Sequence, residues 1–195
     1  CLQELIIMSV AVVTEAQRAY HLRKMRTRML RVDVTGDGYL SREDYEEMGI
    51  KLTEISKMDE KQAEKTRKEF LRVADQIGLK AGVRIPVEEA AVKASESLLA
   101  MTPEEKVKSV SECAIMYDLI DTDNDGYISL PEFKAFLQVL GPDITDEKAI
   151  ECFNSLDFNG NGQISRDEFL LSSHEFLHGL EESPISNAFF GDLVD

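Results

Sequence analysis

Residues 121–132 read DTDNDGYISLPE, and this stretch decides the fold. Groups that offer oxygen stand at positions one, three, five, seven and twelve of it: Asp121, Asp123, Asp125, Tyr127 (through its backbone carbonyl) and Glu132. Gly126 at position six permits the sharp turn that wraps the backbone around an ion. A hard cation such as calcium takes about six to eight oxygen ligands, and this alternation supplies several from one short segment. The stretch is therefore a complete calcium-binding loop.

The same arrangement recurs in residues 157–168, which read DFNGNGQISRDE. Its expected ligands are Asp157, Asn159, Asn161, Gln163 and Glu168. Because two of these side chains are neutral amides, this loop carries less negative charge than the first. Both stretches match the EF-hand pattern, in which such a loop joins two helices. Their first residues are 36 positions apart, which predicts a pair of helix–loop–helix units.

A third loop, residues 33–44, matches the pattern less closely. Its expected ligands are Asp33, Thr35, Asp37, Tyr39 and Asp44. The last of these is one methylene shorter than the usual Glu at position twelve. We expect Asp44 to reach the ion less easily and to shift the preference toward magnesium, but we still expect calcium to bind.

A degenerate fourth unit lies in residues 78–89, where Gly78, Lys80 and Gly82 occupy positions one, three and five. An ammonium group at a ligand position repels a cation, so we expect no calcium here and a structural role in pairing with the loop at 33–44. We therefore predict an all-α fold of four EF-hand units, one of them degenerate, packed as two pairs into a compact globule.

The expected organisation follows from the loop positions. Residues 14–100 form the N-terminal pair, with Ser95 to Pro103 as a linker. Residues 101–180 form the C-terminal pair, and residues 181–195 form a tail or lid. Residues 1–13 are an uncertain extension, because the chain begins with Cys and Met8 is an alternative start. The apolar run from Leu5 to Val13 is too short to span a bilayer.

Composition narrows the function further. The formal net charge is −15, and residues 101–195 hold 20 acidic against 5 basic side chains. Phosphate contacts require clustered basic residues, so nucleic-acid binding is not expected. Three cysteines without a disulfide spacing favour a reducing compartment, the cytoplasm, with a secretory leader as the alternative. Neither a Ser-His-Asp set nor a phosphate loop is evident, so we do not expect an enzyme. We also expect a monomer without a membrane partner.

Five stretches of the chain resemble the coelenterazine-binding proteins of sea pansies. They read AYHLRKM (19–25), RVDVTGDG (31–38), EFLRVADQ (69–76), LDFN (156–159) and NAFFGDL (187–193). The resemblance runs from about Thr14 onward and includes the Asp that ends the loop at 33–44 and the degenerate loop. It implies an internal cavity for coelenterazine, three calcium ions, and calcium-triggered transfer of the ligand, coelenterazine or a modified luciferin, to a separate luciferase.

Two alternative functions share this layout. The first is a sarcoplasmic-type calcium buffer. The second is a calcium-regulated photoprotein, which emits light itself and surrounds a peroxidised ligand with His, Trp and Tyr. This chain has no Trp. His174 stands near the photoprotein His position, His178 stands at the later Trp position, and Phe190 replaces the tail Tyr. These differences favour a carrier.

The resemblance also implies ligand contacts. It favours an arginine late in the first helix, Arg31 ahead of Arg28, although both equally fit a solvated basic face. His21 flanks the same helix stripe, and a partly exposed polar position suits it as well. In the tail, Phe189 and Phe190 are expected to close the cavity, with ordinary docking on the core as the alternative.

Overall fold

The computed structural model describes residues 13–141 and 143–194. The expectations for Met8 and for most of the apolar run before Thr14 therefore lie outside the described residues. In chain order the elements are α1 (Glu15–Val32), β1 (Tyr39–Ser41), α2 (Arg42–Ile55), α3 (Glu60–Gln76), β2 (Arg84–Pro86), α4 (Val87–Leu99), α5 (Pro103–Glu112), α6 (Ala114–Ile120), β3 (Tyr127–Ser129), α7 (Leu130–Leu140), α8 (Asp146–Leu156), β4 (Gln163–Ser165), α9 (Arg166–His178) and α10 (Pro184–Ala188).

The predicted all-α fold of paired EF-hands is confirmed. Two short antiparallel ladders join the loops, and each is centred on the apolar residue at loop position eight. Leu40 of β1 pairs with Ile85 of β2, so the degenerate loop does pair with the loop at 33–44. Ile128 of β3 pairs with Ile164 of β4 in the C-terminal pair, and both side chains are fully buried.

Local sequence explains where the helices begin. Thr14, Asp59 and Thr102 each cap a helix and accept a hydrogen bond from the backbone of the residue three positions on, whose side chain bonds back to the cap. Such reciprocal capping boxes satisfy the otherwise unpaired N–H groups of a first turn. The same device starts α7 and α9, where it also holds a predicted calcium ligand.

The expected linker from Ser95 to Pro103 is wrong in extent, because α4 continues to Leu99. Ser95 and Leu98 are buried on the inner face of that helix, and burial of this face stabilises the helix as far as Leu99. The helix that begins at Pro103 is also interrupted at Cys113, where α5 ends and α6 begins.

Within the described residues, no helix is both long and apolar enough to cross a membrane.

Both halves contribute to one buried core. Met25 of α1, Met48 of α2, Phe70 of α3, Phe133 of α7 and Phe176 of α9 are each at most 1% exposed. The tail returns across this core, and Phe189 is buried with it. An element more than 150 residues away from α1 in sequence is thereby placed beside it.

Candidate calcium centres and ligand cavity

Loop three, residues 121–132, brings its acidic ligands together. Single carboxylate oxygens of Asp121, Asp123 and Glu132 all lie within 4.8 Å of one another. Burial raises the pKa of Asp121; the backbone N–H of Gly126 opposes this rise and the charge of Glu132 adds to it. Converging carboxylates around a backbone turn are the donor set that suits a hard dication. The residues present therefore fit calcium.

The carboxylate at position twelve of this loop accepts two sets of hydrogen bonds, one from the serine at position nine and one from the threonine at position two. One oxygen of Glu132 accepts from the N–H and hydroxyl of Ser129, at 2.9 and 2.7 Å. The other accepts from the N–H and hydroxyl of Thr122, at 2.8 and 2.9 Å. Burial acts to raise the pKa of Glu132, but these hydrogen bonds outweigh it and lower the pKa. The side chain is thus ionised and pre-positioned.

Loop one, residues 33–44, and loop four, residues 157–168, hold their position-twelve carboxylates in a similar way, with a donor at loop position three instead of two. In loop four, Glu168 accepts from the hydroxyl of Ser165 at 2.7 Å and from the amide of Asn159 at 2.8 Å. In loop one, the fully buried Asp44 accepts from the backbone N–H of Ser41 at 2.8 Å and the hydroxyl of Thr35 at 2.8 Å. The shorter Asp side chain therefore reaches loop positions three and nine, as Glu168 does in loop four. That loop one binds calcium stays a prediction.

Sequence reasoning missed one residue near loop one. Arg84 of the degenerate loop pairs with Asp37, a predicted calcium ligand, at 2.6 Å. Its guanidinium also lies 4.3 Å from the centre of the Tyr39 ring. The β1–β2 register, which places Ser41 opposite Arg84, produces this contact. A cation on Asp37 competes with a metal ion for that carboxylate.

An apolar cavity of about 80 Å³ lies between the two halves and the tail. Helices α1, α2, α6, α7 and α9 contribute to its wall. Its lining is mostly aliphatic and aromatic, with Arg28, Tyr45, Cys113 and Ser173 as the polar members. A second space of about 550 Å³ adjoins it and is lined by residues at the ends of α3 and α5. The two spaces share Arg28, Tyr45, Cys113, Met116 and Leu177.

The predicted ligand residues divide into two groups. Arg28, Phe189 and Phe190 line the cavity. Arg31 does not: it pairs with Asp143 at 2.6 Å. The order expected from sequence, Arg31 ahead of Arg28, is therefore reversed in the geometry. Three residues turn the helix by about 300°, which moves Arg31 off the face that carries Arg28.

His21 also lies outside the cavity wall, and the alternative of a partly exposed position is wrong as well. His21 is fully buried, and burial is tolerated because each of its two ring nitrogens has a hydrogen-bond partner on another helix. Nδ1 lies 2.9 Å from the hydroxyl of Ser95 in α4, and Nε2 lies 2.8 Å from the carbonyl of Leu177 in α9. Burial lowers the pKa of His21. His21 therefore joins α1, α4 and α9.

Two further ionisable groups are buried near the end of α9. Lys24 is fully buried and donates to the carbonyls of Gly179 at 2.7 Å and Glu175 at 3.3 Å. Burial lowers its pKa to about 8. His178 lies 2.9 Å from the hydroxyl of Ser109 through Nε2, and within the described residues its Nδ1 has no partner. Burial lowers the pKa of His178 to about 4, and His174 adds to this.

The pKa of His178 predicts a loss of stability in acid. Between pH 6.5 and about 4 the unfolded chain binds a proton at His178 that the folded chain does not, so the free energy of unfolding falls as pH falls. We expect His178 to contribute on the order of 2 kcal/mol of this loss. Urea titrations without calcium should show the loss in the wild type and a flatter profile in His178→Gln. His174→Gln provides a comparison: it removes only the smaller contribution to the lowered pKa of His178, so it should flatten the profile less than His178→Gln does. Parallel profiles for all three proteins contradict the assignment.

His174 itself lies on the exposed side of α9. The cavity-lining residues of that helix are Phe169, Ser173, Phe176 and Leu177. The position that suggested a photoprotein-like histidine therefore faces away from the cavity.

Comparisons with known proteins agree with this geometry. Residues 110–171 match the EF-hand domain pair family. The chain is 66% identical over 182 residues to the luciferin-binding protein of Renilla reniformis, which covers 93% of this chain and 99% of that protein. The calcium-loaded apo form of coelenterazine-binding protein from Renilla muelleri superposes with a TM-score of 0.91 at 66% identity, covering 93% and 100% of the two chains. The n-aequorin structure shares the fold at 18% identity, with a TM-score of 0.68 and coverage of 96% and 100%. This chain belongs to the luciferin-binding protein family of EF-hand proteins.

Proposed function

We propose that this protein is a calcium-triggered carrier of coelenterazine, which it releases to a separate luciferase. One observation carries the proposal: the helices that hold the position-twelve glutamates also form the cavity wall. α7 carries Glu132 and the lining residues Phe136 and Leu140, and α9 carries Glu168 and four lining residues. The 66% identity to a luciferin-binding protein supports the same reading. We further propose a cytoplasmic monomer without catalytic activity.

The apolar cavity is too small to hold coelenterazine, so we infer that it is the contracted form of the binding site. A pocket for a ligand of this size has a volume of about 300 Å³ or more, whereas the apolar cavity measures about 80 Å³. The adjoining space of about 550 Å³ supplies the missing volume if the shared wall moves. Four tail and α9 phenylalanines pack ring on ring at this wall, with centroids 4.9–5.4 Å apart. We infer that ligand uptake spreads this aromatic cluster.

The release step follows from linkage. Bound calcium supplies a dication that neutralises the loop carboxylates. A shift of the Glu132 or Glu168 carboxylate turns the start of α7 or α9, and the lining residues of that helix move with it. The ligand is released only if the calcium-free form binds it more tightly. Bound coelenterazine must then lower calcium affinity by the same factor, and a tenfold factor corresponds to about 1.4 kcal/mol.

Gel filtration tests the proposal. Chain purified without calcium and mixed with coelenterazine should co-elute as a coloured complex at the monomer position. Adding calcium before the column, with luciferase in the running buffer, should remove the colour from that peak. Calcium binding with no uptake of coelenterazine under either condition would favour the alternative of a calcium buffer.

Arg28 is the proposed polar contact for the ligand. Arg28 lines both spaces, and within the described residues no carboxylate pairs with it, whereas Arg31 is held by Asp143. A hydrogen bond from a charged group contributes about 1.5–3 kcal/mol. Arg28→Leu should therefore weaken coelenterazine binding about 10- to 100-fold in a fluorescence titration. The matched change Arg31→Leu should leave binding within about twofold. Equal losses in both variants would contradict the assignment.

A further inference from the structure

The hydroxyl of Tyr117 connects the two calcium loops of the C-terminal pair. Tyr117 lies on α6 and is fully buried. Its hydroxyl is 2.7 Å from the carbonyl of Gly126 in loop three and 3.2 Å from the carbonyl of Ile164 in loop four. A phenol has one proton to donate, so the two carbonyls share a single donor. The stronger bond at any moment goes to the carbonyl that lies closer.

Both carbonyls belong to peptides next to a calcium-ligating carbonyl. Gly126 immediately precedes Tyr127, the position-seven residue of loop three. Ile164 immediately follows Gln163, the position-seven residue of loop four. A small displacement of either position-seven carbonyl therefore moves a bonding partner of the Tyr117 hydroxyl. A change in either loop therefore shifts the hydrogen bond of this one hydroxyl between the two carbonyls.

The ring of Tyr117 contacts a residue of the cavity wall. It meets Phe169 edge to face, with centroids 5.7 Å apart. Phe169 in turn lies 5.4 Å from Phe189, which lies 5.2 Å from Phe190. All three phenylalanines line the cavity. Because interiors are close-packed, a displacement of the Tyr117 ring is passed along this row instead of being absorbed.

A second contact fixes the ring. The guanidinium of Arg166 lies 4.6 Å from the Tyr117 ring centre. Arg166 also pairs with Asp118, the residue that follows Tyr117. Arg166 is the first residue of α9, two positions before Glu168. The ring is thus held between the start of α9 and Phe169, one turn further along the same helix.

We propose that Tyr117 is the positioning residue that couples calcium occupancy of loops three and four to the tail phenylalanines of the cavity. This inference rests on the proposed carrier function. It assigns the hydroxyl, rather than the ring, to sensing the loops. The ring then carries the displacement to Phe169.

Tyr117→Phe separates this role from ordinary packing, because it removes the hydroxyl and keeps the ring against Phe169. In the wild type we expect saturating coelenterazine to weaken calcium binding at least about tenfold, within the usual range of allosteric coupling. In Tyr117→Phe this factor should fall to about twofold or less. Ligand affinity without calcium and the number of calcium ions bound should both be unchanged. Isothermal calorimetry with and without ligand measures all of these quantities.

A matched control is Ser155→Ala on α8, which also deletes a hydroxyl that donates to a backbone carbonyl, that of Glu151 at 2.9 Å. It should keep the wild-type factor. A second variant, Phe169→Leu, leaves the hydroxyl in place and interrupts the aromatic row, and it should lower the factor as well. A wild-type factor retained in Tyr117→Phe overturns this inference while the carrier function stands. No effect of ligand on calcium affinity in the wild type overturns release by differential affinity, and this inference with it.

Discussion

Glu132→Gln and Glu168→Gln are each expected to remove one calcium ion and to weaken that loop about 100- to 1,000-fold. Each carboxylate offers two oxygens to the ion, and the amide keeps only one. Changes to residues that merely orient metal ligands cost about 10- to 100-fold, so loss of a ligand should cost more. Glu132 is also surrounded by donors from Thr122 and Ser129, so the amide NH₂ group must face a donor on one side. Calorimetric titration should count three ions in the wild type and two in each variant.

The degenerate loop supplies the matched control. Glu89 occupies the same position twelve in residues 78–89, and it pairs with Lys93 at 2.5 Å. Glu89→Gln removes the same charge from the same loop position, yet it should leave three ions bound with unchanged affinity. A fourth ion in the wild type, or calcium binding indifferent to Glu132→Gln or Glu168→Gln, contradicts the assignment of sites.

Light emission is the second large expected effect. With coelenterazine and oxygen, calcium alone should give at least about 100-fold less light than calcium together with a coelenterazine luciferase. Loss of one preorganised hydrogen-bond donor costs an enzyme site about that much. Here the chain has no Trp, the tail residue at the cavity is Phe190, and His174 is exposed. Within the described residues, the cavity wall therefore has no His or Trp, and Tyr45 is its one tyrosine.

Luminometry with purified components measures this effect. Luciferase with free coelenterazine sets the maximum, and the loaded protein with luciferase in a calcium chelator sets the background. Calcium added to the loaded protein and luciferase should approach the maximum. A bright flash from the loaded protein without luciferase would mean that the chain is a photoprotein.

The calcium loops were the part of the site that sequence described best. Every ligand of a loop lies within twelve consecutive residues, so spacing alone sets which oxygens converge. Asp44 was the partial exception. Its shorter side chain reaches Thr35 and Ser41 in the folded loop, which residue type alone did not predict. The end of α4 was also misplaced, because burial of Ser95 and Leu98 extends a helix whose local sequence suggested a linker.

The cavity depended on contacts between distant segments. Arg28 and Arg31 differ by three positions, and only the packing of α1 against the other helices decided that Arg28 faces the cavity while Arg31 faces Asp143. The sequence also did not predict the contacts of Arg84 and Tyr117 or the burial of His21. Their contacts with Asp37, Ile164 and Leu177, respectively, join residues that are 47 to 156 positions apart. The sequence by itself determined the four paired units, since each loop and its flanking helices are local, while the oxygens that hold calcium stay a prediction. Only the tertiary structure decided which side chains meet at the cavity, because that depends on how helices and tail pack.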